Sequence, residues 1–196
     1  GKSESWYFIE PPSEGWIYAD SLIEDKKEIK RSILNGDYES VVGKRLVSKN
    51  DLVYIPSGTL HALTRGALVY EIQQSTDITY RFFDYNRLDN DGKLRDLHLE
   101  DALDTLNTEN RVKSSAFPKD TLVSEQPYTM VRKTLENVYH NTTDVAVAIT
   151  VSKGSMCVDG HSILTGMSIL VLPNETISIS QAAEEVVIAT PKLYFK

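Results

Sequence analysis

The sequence predicts a predominantly all-β protein that carries one small helical insertion. Short runs of apolar and β-branched residues recur along the chain, and most of them end in proline, glycine or asparagine, as strands followed by turns do. The main helical spacing of apolar residues covers residues 21–34 and stops at Asn35-Gly36, a typical C-terminal stop. With 196 residues, the chain is long enough to bury a core as one domain or as two small ones.

Residues 51–62 combine a strand, a rigid turn and a histidine. Leu52 to Ile55 are apolar and β-prone, which predicts a buried strand, and Pro56 ends it because proline has no N–H for a ladder hydrogen bond. The Pro-Ser-Gly sequence then predicts a turn, after which the chain restarts and reaches His61. A ring held directly after a turn suits a metal ligand; the alternative is a strand-end histidine that is only hydrogen-bonded.

Residues 2–10 have the alternation of a strand that begins the sequence. Glu4 lies on the same face as Trp6 and Phe8, since side chains two apart share a face. A carboxylate on an apolar face is costly to bury unless it is paired or bound to a metal. The alternative is that fraying at the terminus leaves Glu4 solvated.

Further elements follow on both sides of this strand and turn. A short strand is predicted over 16–19, and a second short helix over 37–43 would complete the helical insertion at about 21–43. Strands are predicted over 67–73 and 77–85, where Glu71 and Arg81 lie among apolar neighbours. Such charges inside a sheet usually pair, so an ion pair that ties strands together competes with a functional role. A helix is predicted over 97–103.

The second half of the chain has a different composition. Residues 107–120 are polar and predict a linker between a first domain, 1–106, and a second β domain, 121–196. Residues 166–173 repeat the apolar run and closing proline of 51–56, but no histidine follows, and His161 is interpreted as a surface residue. Strands are predicted over 129–135, 145–152, 155–158, 168–172, 176–180 and 185–189.

Charge and composition argue against several classes of partner. The net charge of −7 and the lack of a Lys/Arg run argue against nucleic acid, and the apolar runs are too short to cross a membrane. No signal-peptide pattern opens the sequence. Cys157, the single cysteine, cannot form an internal disulfide, which fits a reducing, cytoplasmic setting.

Three blocks of residues carry a resemblance to a known family. They are Lys2-x-Glu4-x-Trp6-Tyr7, Tyr54-x-Pro56-x-Gly58-Thr59-x-His61-Ala62 and Glu71-x-Gln73-Gln74-x-x-Asp77-x-Thr79-Tyr80-Arg81-x-x-Asp84. In order and spacing they resemble the type I mannose-6-phosphate isomerases, in particular the short bacterial form. The resemblance implies a cupin fold of jelly-roll β-barrels. It also implies a zinc-dependent interconversion of mannose 6-phosphate and fructose 6-phosphate through an enediolate.

The same resemblance implies roles for individual residues. The family holds one zinc ion with a glutamine, two histidines and a glutamate, and Glu4 and His61 match the glutamate and the later histidine. Lys2 and Arg81 match catalytic residues, although the sequence does not divide proton transfer and phosphate binding between them. Glu71 and Asp77 match acidic residues of the substrate pocket.

One departure from the family pattern bears on this site. The family's Gln-x-His-Pro motif, which carries the other two ligands, does not occur in this sequence. We therefore expect a chain that lacks the N-terminal part: a fragment, a naturally short chain, or a chain completed by a separate N-terminal segment. Association with such a segment, or a homo-oligomer, is expected because open strand edges favour pairing.

Two other functions stay open at this level. The chain could be a non-catalytic cupin module that binds a sugar or a partner chain and keeps the motif only through common ancestry or for packing. It could also be another metal-dependent cupin enzyme, such as a different sugar isomerase, although the Lys-x-Glu and Thr-Tyr-Arg blocks argue against this.

Overall fold

The structure, a computed structural model, describes residues 1–76, 78–85 and 87–193. The chain forms two compact units, Gly1–Ser115 and Ala116–Lys196. Strands predominate in both, which confirms the predicted fold class. Neither helix in the described residues has the length and apolar character needed to cross a membrane.

The first unit contains two antiparallel sheets and two helices. Four strands form one sheet in the order β6-β1-β4-β7, and three form the other in the order β3-β2-β5. In chain order the elements are β1 (Glu4–Glu10), β2 (Trp16–Ser21), α1 (Lys26–Leu34), β3 (Val42–Leu46), β4 (Asp51–Ile55), β5 (His61–Ala62), β6 (Leu68–Gln73), α2 (Leu99–Thr105) and β7 (Lys113–Ala116).

One hydrophobic core joins these two sheets. Trp6 and Phe8 of β1 are buried beside Val53 of β4, which pairs with Trp6 in register. Ile17 and Ala19 of β2 enter the same core from the three-stranded sheet. The predicted apolar face of β1 therefore packs between the sheets, and the other face of the strand is buried as well over its first part.

Helix α1 confirms the predicted helix from Lys26 onwards, whereas its predicted start at residue 21 is wrong because strand β2 continues to that residue. Asp25 caps it by accepting a hydrogen bond from the Lys27 N–H (2.8 Å), and the helix ends at the predicted Asn35-Gly36 stop. Ile29 and Ile33 bury its apolar stripe in a cluster with Leu103, which follows from the spacing of four residues.

The second helix predicted over 37–43 is wrong. Residues 37–41 form turns, in which the Asp37 carboxylate accepts from the Ser40 N–H (3.3 Å), and Val42 begins strand β3. Val41 and Val42 are β-branched and favour extended backbone. Strand β3 gains backbone hydrogen bonds by pairing with β2, whereas a helix of seven residues would form few of its own. The helix predicted over 97–103 is confirmed by α2.

The strand predicted over 77–85 is also wrong, because the described residues 78–85 contain no strand. Asp84 is buried there and forms ion pairs with Arg87 and with Arg95, the latter with 3.3 Å between Oδ2 and Nη1. These ion pairs stabilise an irregular backbone, so the alternation of polar and apolar residues here does not indicate a strand. Residue Asp77 lies outside the described residues.

The second unit is a pair of antiparallel sheets around its own core. Five strands form one sheet, β14-β11-β16-β9-β8, and four form the other, β10-β15-β12-β13. The six predicted strands are confirmed, and β8, β10 and β13 were not predicted. The strands are β8 (Leu122–Ser124), β9 (Tyr128–Lys133), β10 (Asn137–His140), β11 (Val147–Lys153), β12 (Ser155–Val158), β13 (His161–Leu164), β14 (Ser168–Val171), β15 (Thr176–Gln181) and β16 (Glu185–Pro191).

A buried ion pair crosses the five-stranded sheet of this unit. Arg132 on β9 and Glu185 on β16 are each 6% exposed, with 2.6 Å between Nη2 and Oε2. Ser152 on β11 donates to the other oxygen of Glu185 (2.8 Å), and Arg132 also donates to the Phe117 carbonyl. Three neighbouring strands are thus joined by side chains as well as by the backbone.

Candidate active site

Four polar side chains meet at one end of the core of the first unit. Lys2 and Glu4 come from the start of β1, His61 from β5 and Gln73 from the end of β6. Glu4 pairs in register with Gln73 on one side and with Ile55 on the other. The antiparallel register therefore brings three sequence-distant blocks to the same place.

Glu4 and His61 are in direct contact. The Glu4 carboxylate is only 3% exposed, and its Oε1 lies 3.1 Å from Nε2 of His61. The Trp6 ring meets the His61 ring at 67° with 5.3 Å between centroids, so it covers the histidine from the core side. Glu4 is buried and paired, and the alternative of a solvated terminal carboxylate is wrong.

The predicted turn before His61 fixes the direction of the ring. The Thr59 N–H and hydroxyl both donate to the Pro56 carbonyl (3.2 and 2.7 Å), and Gly58 has a φ of +80°. The Thr59 carbonyl then lies 2.7 Å from Nδ1 of His61. Because a carbonyl only accepts, Nδ1 carries the proton, and Nε2 is the nitrogen that faces Glu4.

Lys2 is held on the other side of the same carboxylate. Its ammonium lies 3.3 Å from Oε2 of Glu4 and donates to Oε1 of Gln73. Each oxygen of Glu4 therefore has its own cationic or imidazole partner. Gln73 was not singled out from the sequence; its spacing of two residues from Glu71 on one strand face was the signal that could have found it.

Burial and charge act in opposite directions on this cluster. Burial raises the pKa of Glu4, but His61 and Lys2 outweigh it and leave that pKa below its ordinary value. Burial lowers the pKa of His61, but Glu4 and the Thr59 carbonyl outweigh it and leave that pKa raised. Without a metal, the two groups are therefore stabilised as a charged pair.

Glu71 belongs to the same electrostatic environment. It lies on β6 opposite Trp6 in register, two residues before Gln73. Burial and the negative charge of Glu4 raise its pKa, against the opposing effects of Lys2, His61 and Trp6. A carboxyl group with a raised pKa holds its proton more readily than an ordinary carboxyl group does, which suits a group that exchanges protons with a substrate.

The geometry of Glu4 and His61 fits two ligands of one metal ion. Two ligand atoms of a tetrahedral zinc ion lie about 3.3 Å apart, and Oε1 and Nε2 are separated by 3.1 Å. The hydrogen bond from Nδ1 to Thr59 is the contact by which metal-bound histidines are usually oriented. No group of three or more such ligands occurs in the described part of the chain, so Glu4 and His61 would supply two of the four ligands that the family resemblance implies.

Arg81 is not joined to this cluster in the same way. Its backbone carbonyl accepts from the His98 N–H (3.0 Å). Among the described residues, no hydrogen bond or ion pair links its guanidinium to Lys2, Glu4 or His61. Of the residues that the sequence singled out, the structure brings together Lys2, Glu4, His61 and Glu71.

The fold and the cluster define the class of protein. Two β units, the first with an ionisable Lys–Glu–His cluster at the end of its core, form a cupin architecture, as predicted. No family model matches the sequence. Mannose-6-phosphate isomerases of Streptococcus mutans and Bacillus subtilis are 39% and 38% identical to it over 106 residues, 54% of this chain and 34% of each relative.

Solved structures give the same result over nearly the whole chain. The mannose 6-phosphate isomerase of Bacillus subtilis has a TM-score of 0.73 and 26% identity, and the match covers 97% of this chain and 65% of that one. A phosphomannose isomerase mutant from Salmonella typhimurium has a TM-score of 0.66 at 9% identity, covers 98% of this chain and 66% of that one, and shows the fold alone.

These comparisons confirm the resemblance to the type I mannose-6-phosphate isomerases. The chain spans about a third of the length of the curated relatives it matches.

Proposed function

We propose that this chain acts in the interconversion of mannose 6-phosphate and fructose 6-phosphate, as an aldose–ketose isomerase. The observation that supports this most is the contact between Lys2, Glu4 and His61, which come from two separate motif blocks and meet on a fold similar to that of a solved mannose 6-phosphate isomerase. A single cysteine and a phosphorylated sugar substrate fit the cytoplasm as the place of action.

Glu4 and His61 would hold a zinc ion through Oε1 and Nε2. When bound, the ion supplies a Lewis acid that orients the sugar and polarises its oxygens. Glu4 brings a negative charge to the site, and His61 brings a neutral nitrogen whose direction Thr59 fixes. Trp6 shields the histidine from the core side and keeps water from that face of the site.

Lys2 and Glu71 are the groups placed to handle charge and protons. The isomerisation moves a proton between C1 and C2 of the open-chain sugar, and negative charge develops on the neighbouring oxygens. The Lys2 ammonium, held by Glu4 and Gln73, can stabilise that charge or transfer a proton. Glu71, whose pKa is raised by burial and by Glu4, can carry the proton between the two carbons.

Arg81 and Asp77 keep the roles that the family resemblance assigns to them. The guanidinium of Arg81 offers a planar fork that matches a phosphate group, so we assign it to the substrate's phosphate or to charge stabilisation. Asp77 is assigned to the pocket.

Zinc content and turnover of mannose 6-phosphate test the proposal directly. The measurements should be made on this chain and on the same chain preceded by a segment that carries the family's Gln-x-His motif. We expect stoichiometric zinc and turnover in the extended chain, both lost with a chelator and restored by zinc. Stoichiometric zinc without turnover would mean that the isomerase assignment is wrong and would favour a binding module.

Replacing Lys2 with methionine should separate catalysis from metal binding. We expect Lys2→Met to lower kcat by about a hundredfold with unchanged zinc content, because the ammonium contributes charge and protons and not a ligand. Steady-state kinetics and metal analysis of the zinc-loaded extended chain measure the two quantities. Lys49→Met, at an exposed lysine paired with Glu10, is the matched control. Unchanged kcat in Lys2→Met would remove this residue from the catalytic machinery.

A further inference from the structure

A second polar site lies in the first unit, outside the Lys2–Glu4–His61 cluster. Strands β2 and β3 border a groove of about 340 Å³, lined by Asp20, Gly43, Lys44, Arg45 and Arg111 among others. None of the three basic residues has a hydrogen bond or ion pair to Lys2, Glu4 or His61 among the described residues. The candidate active site therefore does not account for this groove.

Arg45 is oriented by a buried carboxylate. Asp20 is 3% exposed, and its Oδ2 accepts from Nε and Nη2 of Arg45 (2.8 and 2.6 Å), while its Oδ1 accepts from the Val112 N–H (2.8 Å). Asp20 also has a φ of +70°, a conformation that non-glycine residues seldom adopt. Both oxygens of Asp20 are occupied, so it holds the half-exposed guanidinium in one orientation.

The Arg45 guanidinium keeps donors for a ligand. A guanidinium has five N–H donors, and two of those of Arg45 serve Asp20. In the described part of the chain no other acceptor contacts it. The remaining donors are available on a side chain that is 49% exposed and already fixed, a combination that lowers the entropy cost of binding an anion.

Arg111 and Lys44 are arranged similarly. Nη1 of Arg111 donates to the carbonyls of Thr108 and Asn110 (2.8 and 2.7 Å), which positions the group through backbone atoms and leaves Nε and Nη2 without a described acceptor. Lys44 lies over the Trp16 ring, 4.3 Å from its centroid, and is 3.9 Å from the exposed Glu39 carboxylate. Each cation is thus held in place and still has donors to offer.

The charge of the groove is opposite to that of the protein. Three cations and the Asp20 carboxylate give the lining a balance of two positive charges, which the Glu39 carboxylate beside Lys44 reduces to one, on a chain whose net charge is −7. Gly43 keeps β3 close to β2 here, since a Cβ at this position would lie 2.8 Å from the Ala19 carbonyl oxygen. A phosphate monoester carries close to two negative charges at neutral pH, and arginine forks match its oxygens.

We propose that this groove binds a phosphate group, free or as the monoester of a small metabolite, at a site separate from the candidate active site. Arg45 and Arg111 donate to the phosphate oxygens, and Lys44 adds charge at the rim. The proposal does not depend on the isomerase assignment, because its test measures binding and no turnover.

Titration of the whole chain with inorganic phosphate, followed by amide chemical shifts, tests the site. We expect saturable shifts at Ser21, Gly43 and Lys44, which persist in His61→Ala. Arg111→Gln and Lys44→Gln should each weaken binding by about tenfold, the loss expected for one charge-assisted contact. Arg31→Gln, at an exposed arginine on α1, is the matched control and should leave the affinity unchanged.

The other outcomes are equally informative. Equal weakening by Arg31→Gln, or shifts spread over all exposed basic residues, would overturn the proposal and indicate general charge screening. Shifts centred on Lys2 and His61 and lost in His61→Ala would also overturn it. Malonate provides a dicarboxylate probe, and binding as tight as that of phosphate would overturn the assignment to phosphate. Tighter binding of glycerol 3-phosphate than of phosphate would identify an ester ligand, and equal binding would identify free phosphate.

Discussion

Replacing His61 with alanine is expected to abolish zinc binding and turnover together in the extended, zinc-loaded chain. The substitution removes the nitrogen that faces Glu4 at 3.1 Å and that Thr59 orients. Loss of an orienting contact around a metal ligand commonly costs about ten- to a hundredfold in affinity, so loss of the ligand itself should cost at least about a hundredfold. Turnover should fall by about a thousandfold or more, because charge stabilisation worth several kcal/mol is lost.

Two variants make the His61 result specific. Glu4→Gln keeps the shape of the second ligand but removes its charge, and should lower zinc affinity in the same direction. His161→Ala removes an exposed histidine at the start of β13 and should change neither quantity. If His61→Ala retained zinc and turnover, the metal would be held by other residues, and the assignment of His61 would be wrong.

Replacing Arg132 with methionine is expected to lower the free energy of unfolding by about 3–5 kcal/mol. The variant leaves the Glu185 carboxylate, 6% exposed, without its guanidinium partner at 2.6 Å. A buried carboxylate that loses its cationic partner keeps the cost of its own desolvation or must take up a proton, and both lower the stability of the folded state. Urea denaturation, followed by circular dichroism, measures the loss in the free energy of unfolding.

A double variant separates the ion pair from simple packing. Arg132→Met combined with Glu185→Leu removes both charges, and we expect it to recover most of the lost stability, since apolar groups of similar volume can replace a buried pair. Lys153→Met is the matched control, because Lys153 pairs with Glu184 at 2.6 Å on the exposed surface and should contribute little. A double variant as unstable as Arg132→Met would mean that packing or the Ser152 contact dominates.

Local sequence patterns predicted most strands because apolar, β-prone residues fill the buried positions of a sheet. The run closed by Pro56 and residues 2–10 appear as β4 and β1, and both faces of these strands are buried over most of their length. The pattern failed at 37–43, where pairing with β2 decided the conformation, and at 77–85, where ion pairs of Asp84 hold an irregular path. Strands β10 and β13 are short and largely exposed, so no apolar alternation marked them.

The candidate site was predicted in part for the same reason. A carboxylate on an apolar face and a histidine after a rigid turn each indicated a special position, without indicating that the two side chains touch. Their contact depends on the register of β1 and on the pairing of β5 with β2, which are long-range properties. The spacing of Gln73 from Glu71 places both on one strand face, but the contact of Gln73 with Lys2 depends on the β1–β6 register and was not predictable from that spacing.

The carbonyl of Thr59 fixes which nitrogen of the His61 ring carries the proton, and it does so through a backbone atom. The acceptor that selects the protonated nitrogen is a backbone atom, and the Thr59 hydroxyl contributes only by donating to the Pro56 carbonyl in the turn. The tautomer is instead vulnerable at Gly58, where φ is +80° and an added Cβ would come within 2.8 Å of the Thr105 carbonyl oxygen. The position of the proton on the histidine ring is therefore set by the conformation of a turn, and a substitution that alters this turn would change it without touching the ring itself.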